Sequence, residues 1–261
     1  MRLGALSAVS FLLLSPASSH SPLRAATPAL GQRSDQVVPF RVGETLTYNV
    51  SWSSLLVGGT AVATIKEKQA SGSSSAYYIV AEGRPLPLLS RIYPLYYRMD
   101  ALIDARSLLS QRSSLQSEER SRRRTTTTTF DRGARKALFE VESDAGARSE
   151  FAVPTATQDG LSALYAARAL ALTPGAHLEM PVVNDGELFT VSIDVGGPDR
   201  IRVPIGQVEA LELRLNVVDA QRQPAGKNMA IWISTDARRL PLKLQAELPV
   251  GSFVLALREA R

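Results

Sequence analysis

Apolar and polar residues alternate one for one in segment after segment of this chain. That two-residue rhythm restricts it to β-strands with one face against a core and the other in water. Leu46, Tyr48, Val50 and Trp52 interleave with Thr45, Thr47, Asn49 and Ser51, and Phe189, Val191, Ile193 and Val195 with Leu188, Thr190, Ser192 and Asp194. Leu211, Leu213, Leu215 and Val217 interleave with Glu212, Arg214 and Asn216, and Leu242, Leu244, Ala246 and Leu248 with Lys243, Gln245 and Glu247. Turn-forming residues punctuate the chain at hairpin spacing: Gly58-Gly59, Ser71-Gly72-Ser73, Asp131-Arg132-Gly133, Asn184-Asp185-Gly186, Gly196-Gly197-Pro198 and Pro249-Val250-Gly251. Short connections make successive strands antiparallel neighbours, since a parallel pair needs a helical crossover and the chain offers a single convincing helix. The expected class is all-β: a strongly curved antiparallel sheet or barrel-like single domain with one covering helix.

That helix is predicted from about Asp159 to Leu172, with Thr157 or Asp159 as its cap. Leu161, Leu164, Tyr165 and Arg168 form its buried stripe, and Thr173-Pro174-Gly175 ends it. The two prolines of Arg84-Pro85-Leu86-Pro87-Leu88-Leu89 remove backbone donors, so this stretch reads as a loop. Tyr93, Tyr96 and Tyr97 follow it and form a candidate ligand-facing aromatic patch, with a plug packed into the core as the competing role.

Residues 1–19 read as a signal peptide: Arg2, a mostly apolar run from Leu3 to Leu14, then small residues ending at Ala17-Ser18-Ser19. Residues 20–37 read as a flexible linker and 38–261 as a β-rich domain. The leader's apolar run is shorter than the roughly 20 residues a spanning helix needs, and charges interrupt every later apolar segment, so no transmembrane span is expected. Without cysteine there is neither a disulfide nor an acylation site for a lipoprotein anchor, and the folded part must stand on its core. The expected location is periplasmic or secreted.

Beyond the leader, 29 basic and 25 acidic residues leave a net charge of +4, too mild to imply a polyanionic partner. Aromatic residues are not interleaved with the basic ones as a stacking platform requires, so nucleic acid is not an expected partner. Among the basic residues, Arg120, Arg122 and Arg124 would share one face of a strand continued by Thr126 and Thr128. Guanidinium groups in a row match phosphate or carboxylate oxygens bidentately, and equally serve to protect a strand edge by charge.

Catalytic sets are hard to assemble. His177 is the only histidine beyond the linker, which leaves no Ser-His-Asp arrangement and no zinc site. Neither a catalytic residue nor a cofactor is assigned. Asp100, Asp104, Asp159, Glu179, Asp194 and Asp236 could supply a carboxylate pair for glycan hydrolysis, but nothing in the sequence pairs them. Trp232 alternates with Ile231 and Ile233 and therefore faces the opposite side of the sheet; if that side is a cavity, Trp232 lines it, and if it is solvent, the helix should cover it. Gly43-Glu44 stands at the start of a strand, where the carboxylate can accept from backbone or arginine donors.

Several segments together resemble an exported bacterial family of unknown function, domain of unknown function three-one-zero-eight. They are Phe40-Arg41-Val42-Gly43-Glu44-Thr45-Leu46-Thr47-Tyr48 with Trp52 and Gly58-Gly59; Thr129-Phe130-Asp131-Arg132; the helix Gln158 to Arg168; Ile231-Trp232-Ile233-Ser234-Thr235-Asp236 with Arg239-Leu240-Pro241; and Gly251-Ser252. The resemblance implies an exported, β-rich protein and brings no substrate or catalytic residue with it. The functional expectation is a periplasmic, non-catalytic binding or cell-envelope maintenance protein for an amphiphilic or anionic ligand. Its candidate contacts are Tyr93, Tyr96, Tyr97, Arg120, Arg122, Arg124 and Trp232, and its candidate partners a lipid, a glycan or an envelope protein. The alternatives are a structural or protein-interaction module of the envelope and a carboxylate-based glycan hydrolase.

Overall fold

The computed structural model describes residues 35–261 except 53–55, 73, 93, 121, 143–145 and 249–250. The expected signal peptide and most of the expected linker lie outside the described residues. In chain order the elements are β1 (Thr45–Trp52), β2 (Leu56–Ser71), β3 (Ser74–Pro85), α1 (Pro87–Ile92), β4 (Leu95–Asp104), β5 (Ser110–Glu119), β6 (Arg122–Asp131), β7 (Lys136–Glu142) and β8 (Arg148–Ala152). They continue with β9 (Gln158–Asp159), α2 (Gly160–Ala169), β10 (His177–Asn184), β11 (Glu187–Val203), β12 (Gly206–Val218), β13 (Lys227–Ser234), β14 (Pro241–Leu248) and β15 (Gly251–Ala260).

Among the described residues all fifteen strands form one curved, unclosed sheet in the order β8-β7-β6-β5-β4-β3-β2-β1-β15-β14-β13-β12-β11-β10-β9. Every neighbour is sequential except the β1–β15 pair, and every pairing is antiparallel except β9 on β10. The expected all-β, barrel-like class is therefore what forms. Directly opposed residues share a face, so the inner face can be followed across strands: Met180 opposes Val191, Ile193 opposes Leu215, and Leu213 opposes Ile231. Leu46, Leu213, Leu242 and Leu257 are buried on this face, as their alternation requires.

The free edges β8 and β9 are consecutive in sequence, and side chains rather than a hydrogen-bonded ladder close the seam between the two halves of the sheet. Phe130, Ala137 and Val153 pack with Val183, while Phe151 and Leu188 flank them. Arg124 pairs with Asp185 at 2.7 Å. The β10–β11 turn has positive φ at Asp185 (49°) and Gly186 (81°), and a Cβ at Gly186 would come within 2.8 Å of the Phe139 ring. Gly186→Ala should therefore cost about 2 kcal/mol through strained φ and a displaced ring, lowering Tm by roughly 4–8 °C. Gly197→Ala, with open space around it, should leave Tm unchanged in the same thermal melt.

Two expectations about local structure need correction. Gly58-Gly59 and Gly196-Gly197-Pro198 are not hairpin turns but lie inside β2 and β11, where the ladder carries an extra residue opposite Val50/Ser51 and between Val195 and Pro198. Glycine serves a bulge as readily as a turn, and a Cβ at Gly59 would strike the Arg84 carbonyl at 2.6 Å. The Arg84–Leu89 stretch is not wholly loop either. Pro85 ends β3, and Pro87 opens α1, a position where a missing N–H costs nothing.

Helix α2 ends at Ala169, earlier than expected, because Leu170 turns to an extended conformation (φ −71°, ψ 151°) and the chain carries Leu172 into the core beside Ile193 and Leu213. Among the described residues no helix is long and apolar enough to cross a membrane. The chain is already tied to the sheet at Gln36, whose N–H donates to the Ala105 carbonyl at 2.9 Å, and at Asp35, which accepts from Lys68.

Candidate functional site: an apolar cavity closed at one end by a helix

Helix α2 is built to sit across one end of the curved sheet. Asp159 is its N-cap and accepts from the backbone N–H groups of Leu161 and Ser162 at 2.9 Å each. The same carboxylate receives the Ser110 hydroxyl at 2.6 Å and the Ser162 hydroxyl. Burial pushes the Asp159 carboxyl up from its ordinary range, while these donors pull the other way. The neighbouring Gln158 side chain accepts from the Ser110 N–H (2.9 Å) and donates to the Leu108 carbonyl (2.8 Å), so the start of α2 is bolted to the β4–β5 turn.

The other terminus is held by a buried ion pair. Arg168 is 0% exposed and donates to both Glu44 oxygens, at 2.6 and 3.0 Å. Its remaining bonds run to the carbonyls of Arg238 and Arg239, both at 3.0 Å, in the β13–β14 connection. Arg239 in turn donates to the Leu170 carbonyl at the helix end. Phe40 fills the corner with edge-on contacts to Tyr77 (5.4 Å) and Tyr165 (5.2 Å), and the Arg168 guanidinium lies over the rings of both Phe40 and Tyr165. Glu44, Ser110 and residues 238–239 all belong to the same end of the strands, which α2 therefore covers.

Between α2 and the inner face lies a cavity of about 540 Å³. From the strands it is lined by Leu46, Tyr48, Ala63, Met99, Met180, Phe189, Val191, Leu215, Met229, Ile231 and Leu255, and from the helix by Leu161, Ala163, Leu164 and Tyr165. Among the described residues no Asp, Glu, His, Lys or Arg side chain contributes to the lining. Its lining reaches Asn184, the last residue of β10, and Ala225 in the β12–β13 connection, both at the end opposite the helix, and we take that end as the mouth. The Tyr48 hydroxyl is spent on the Pro241 carbonyl at 2.9 Å. The Tyr165 hydroxyl has no hydrogen bond of ordinary geometry, although Arg168 acts on it electrostatically, and burial raises the pKa of both tyrosines. The space can hold hydrocarbon. Among the described residues its lining supplies no acid–base pair.

Among the described residues, none of the sequence-predicted contacts lines this cavity. Tyr93 lies outside the described residues. Tyr96 donates its hydroxyl to Glu82 at 2.7 Å, Arg98 donates to the same carboxylate at 3.0 Å, and these bonds hold Glu82 below its usual range. Tyr97 is on the face of Met99, beyond the cavity towards the mouth, and half exposed. Arg120 occupies the β5–β6 turn (φ 55°) rather than a strand, which separates it from Arg122 and Arg124 on β6. Arg122 and Arg124 are exposed, while Thr126 and Thr128 behind them on the same face are buried, so this row runs from the mouth into the interior.

Trp232 is on the opposite face from the cavity-lining Ile231. It packs against a cluster that includes Val203, Ala210, Leu240 and Leu242 and contains no residue of α2, with the Lys243 ammonium over its ring at 4.3 Å, so the expected covering by the helix is not what forms. The signal that could have found the cavity was present in the alternation itself, whose apolar members Leu46, Tyr48, Phe189, Val191, Ile193, Leu213, Leu215, Val217 and Leu244 all reach it.

The carboxylates available for hydrolysis are dispersed. Asp100 accepts from Ser114 and Asp104 from Ser74, each at 2.6 Å, Asp236 accepts from Ser234 at 2.7 Å, and Asp159 caps α2. Asp194 pairs with His177 at 2.8 Å on the exposed surface and raises its pKa, and Glu179 is exposed on β10. Among the described residues no cluster of three or more His, Asp or Glu is placed to hold a metal ion.

A family model described as "Protein of unknown function (DUF3108)" matches residues 47–258. No functionally curated protein matches the chain. Among solved structures, a beta-barrel-like protein of domain of unknown function DUF1849 from Brucella abortus is 10% identical, with a TM-score of 0.53 over 84% of this chain and 97% of that one, a likeness of fold. A Bacteroides fragilis protein of YmcC-like fold, provisionally described as exported, aligns at a TM-score of 0.33 and 10% identity over 87% of this chain and 100% of that one. A Parabacteroides distasonis protein, provisionally described as a lipoprotein, aligns at 0.37 and 9% identity over 87% and 100%.

Proposed function

We propose that this chain, which belongs to the DUF3108 family of proteins of unknown function, is a non-catalytic binding protein of the cell envelope whose cavity holds the hydrocarbon part of an amphiphile. The observation that carries the reading is the cavity of about 540 Å³ whose lining, among the described residues, holds no carboxylate, histidine, lysine or arginine. Protein interiors are otherwise packed like organic crystals, and unfilled apolar volume costs stability, so an apolar space of this size is maintained for an occupant. A glycan is a poor occupant, since its hydroxyls would go unpaired against leucine, valine and methionine. The leader-like residues 1–19 support a periplasmic or secreted setting.

Each methylene taken from water into such a space contributes about 0.8 kcal/mol. Shortening a fatty-acid ligand by two methylenes should therefore weaken its displacement of a fluorescent long-chain fatty acid roughly 15-fold. Ala163 of α2 lines the cavity and is only half-buried, so Ala163→Trp fills the space from the lid without disturbing the sheet. That variant should lose probe binding by at least about tenfold while melting within a few degrees of wild type. A wild-type protein that binds no chain of any length, and yields no lipid in organic extracts after purification from its native envelope, would refute the reading.

A further inference from the structure

We propose that the mouth end of the sheet is a docking surface for an anionic lipid bilayer. Five of the eight large apolar side chains exposed to water among the described residues gather there, while Val37, Val42 and Ile205 lie towards the helix end. Trp52 (59% exposed) ends β1 and stacks on Phe253 of β15 at 6.3 Å, and Val57 (43%) is the second residue of β2. Leu88 (71%) and Leu89 (42%) stand on α1, which the Leu86 N–H ties to the Gly58 carbonyl at 2.9 Å, and Tyr97 (41%) follows at the start of β4. Isolated surface leucines need no explanation, but an aromatic pair, two adjacent leucines and a tyrosine at one end do.

Basic residues surround this patch because the register puts the β5–β6 turn beside α1. The Arg120 N–H donates to the Pro94 carbonyl at 3.0 Å, and Leu95 opposes Glu119. Residues 82–98 and 116–125 together carry seven arginines against three glutamates, and with Asp185, which pairs with Arg124, the net is +3. Glu82 is shared by Arg84 and Arg98, Glu118 is taken by Arg123, Glu119 lies opposite Arg122, and Asp185 is taken by Arg124. Arg91 sits on α1 beside the two exposed leucines, and that helix has no acidic residue. Apolar and aromatic side chains rimmed by arginine match the layered chemistry of an anionic membrane surface, acyl boundary below and phosphate above. Docked this way, the cavity mouth faces the lipid.

This goes beyond cavity binding and stands or falls separately. Protein expressed from the full chain should co-sediment with phosphatidylglycerol-containing vesicles at low salt. Binding should fall at least about tenfold on phosphatidylcholine vesicles or in high salt. The paired variant Leu88→Asp/Leu89→Asp and the paired charge reversal Arg91→Glu/Arg122→Glu should each weaken binding at least about tenfold. All four positions are exposed, so melting temperature should hold. The cavity-filled Ala163→Trp should dock as wild type does. Failure of the wild type to bind any vesicle, equal binding to neutral and anionic vesicles, or indifference to both paired variants would overturn the proposal; the first outcome would leave the patch to a protein partner.

Discussion

Arg168→Ala should melt about 6–20 °C below wild type, because it strands the Glu44 carboxylate in a site that is 4% exposed. Breaking a buried ion pair from one side costs about 3–5 kcal/mol, and in a domain of this size each kcal/mol moves Tm by roughly 2–4 °C. Glu44→Ala should fall in the same range, leaving the guanidinium unpaired. The double replacement Glu44→Leu/Arg168→Met separates charge from packing. It removes the uncompensated charge but still orphans the carbonyls of Arg238 and Arg239, at about 1–3 kcal/mol each, so it should melt above either single variant and below wild type. Circular-dichroism melts of the four proteins give the answer, and an Arg168→Ala protein within 2 °C of wild type would show that α2 is held by other means.

Asp159→Ala should be comparably damaging from the opposite end of the helix. The cap itself is worth about 0.5–2 kcal/mol, and its loss also leaves buried hydroxyls of Ser110 and Ser162 without their acceptor, for a total of about 3–5 kcal/mol. Asp159→Asn is the informative companion. Its carbonyl oxygen keeps the bonds from Leu161 and Ser162, and the Ser110 hydroxyl can rotate to the Gln158 carbonyl oxygen 2.9 Å away, so most of the stability should return. Equal melting of the alanine and asparagine variants would mean that the carboxylate's charge, not its geometry, is what the site needs. Because α2 also lines the cavity, both Asp159→Ala and Arg168→Ala should loosen probe binding in parallel with stability.

Particular residues mark how far the chain could be read. A cap at Thr157 or Asp159 was legible because capping is decided within three residues, with the structure selecting Asp159, and Glu44 was legible as an acceptor because a strand start leaves donors nearby. That the donor is Arg168 was not legible, since 124 positions separate the pair. Gly58-Gly59 and Gly196-Gly197 were misread for a physical reason: a glycine reports that the backbone departs from the ordinary, without saying whether it turns or bulges. Tyr97 and the Arg122–Arg124 row were singled out as separate patches, and only the pairing of β4 with β5 and β5 with β6 sets them on one face at the mouth, with Ser117 between Tyr97 and Arg124. Trp232 was assigned correctly to the face opposite Ile231, yet what packs against it, a cluster with Val203 and Ala210 and the Lys243 ammonium, comes from other strands and not from the helix.

Alternation by itself determined that this chain is an antiparallel shell with one apolar side, and it named most of the residues on that side, because side-chain direction in a strand is fixed by a local period of two. Whether the enclosed space would be packed solid or left open was decided only in three dimensions. It depends on how far fifteen strands curl, where the Glu44–Arg168 and Ser110–Asp159 contacts set α2 across the end, and how the volumes of side chains from ten strands add up, and none of these is a property of any one segment.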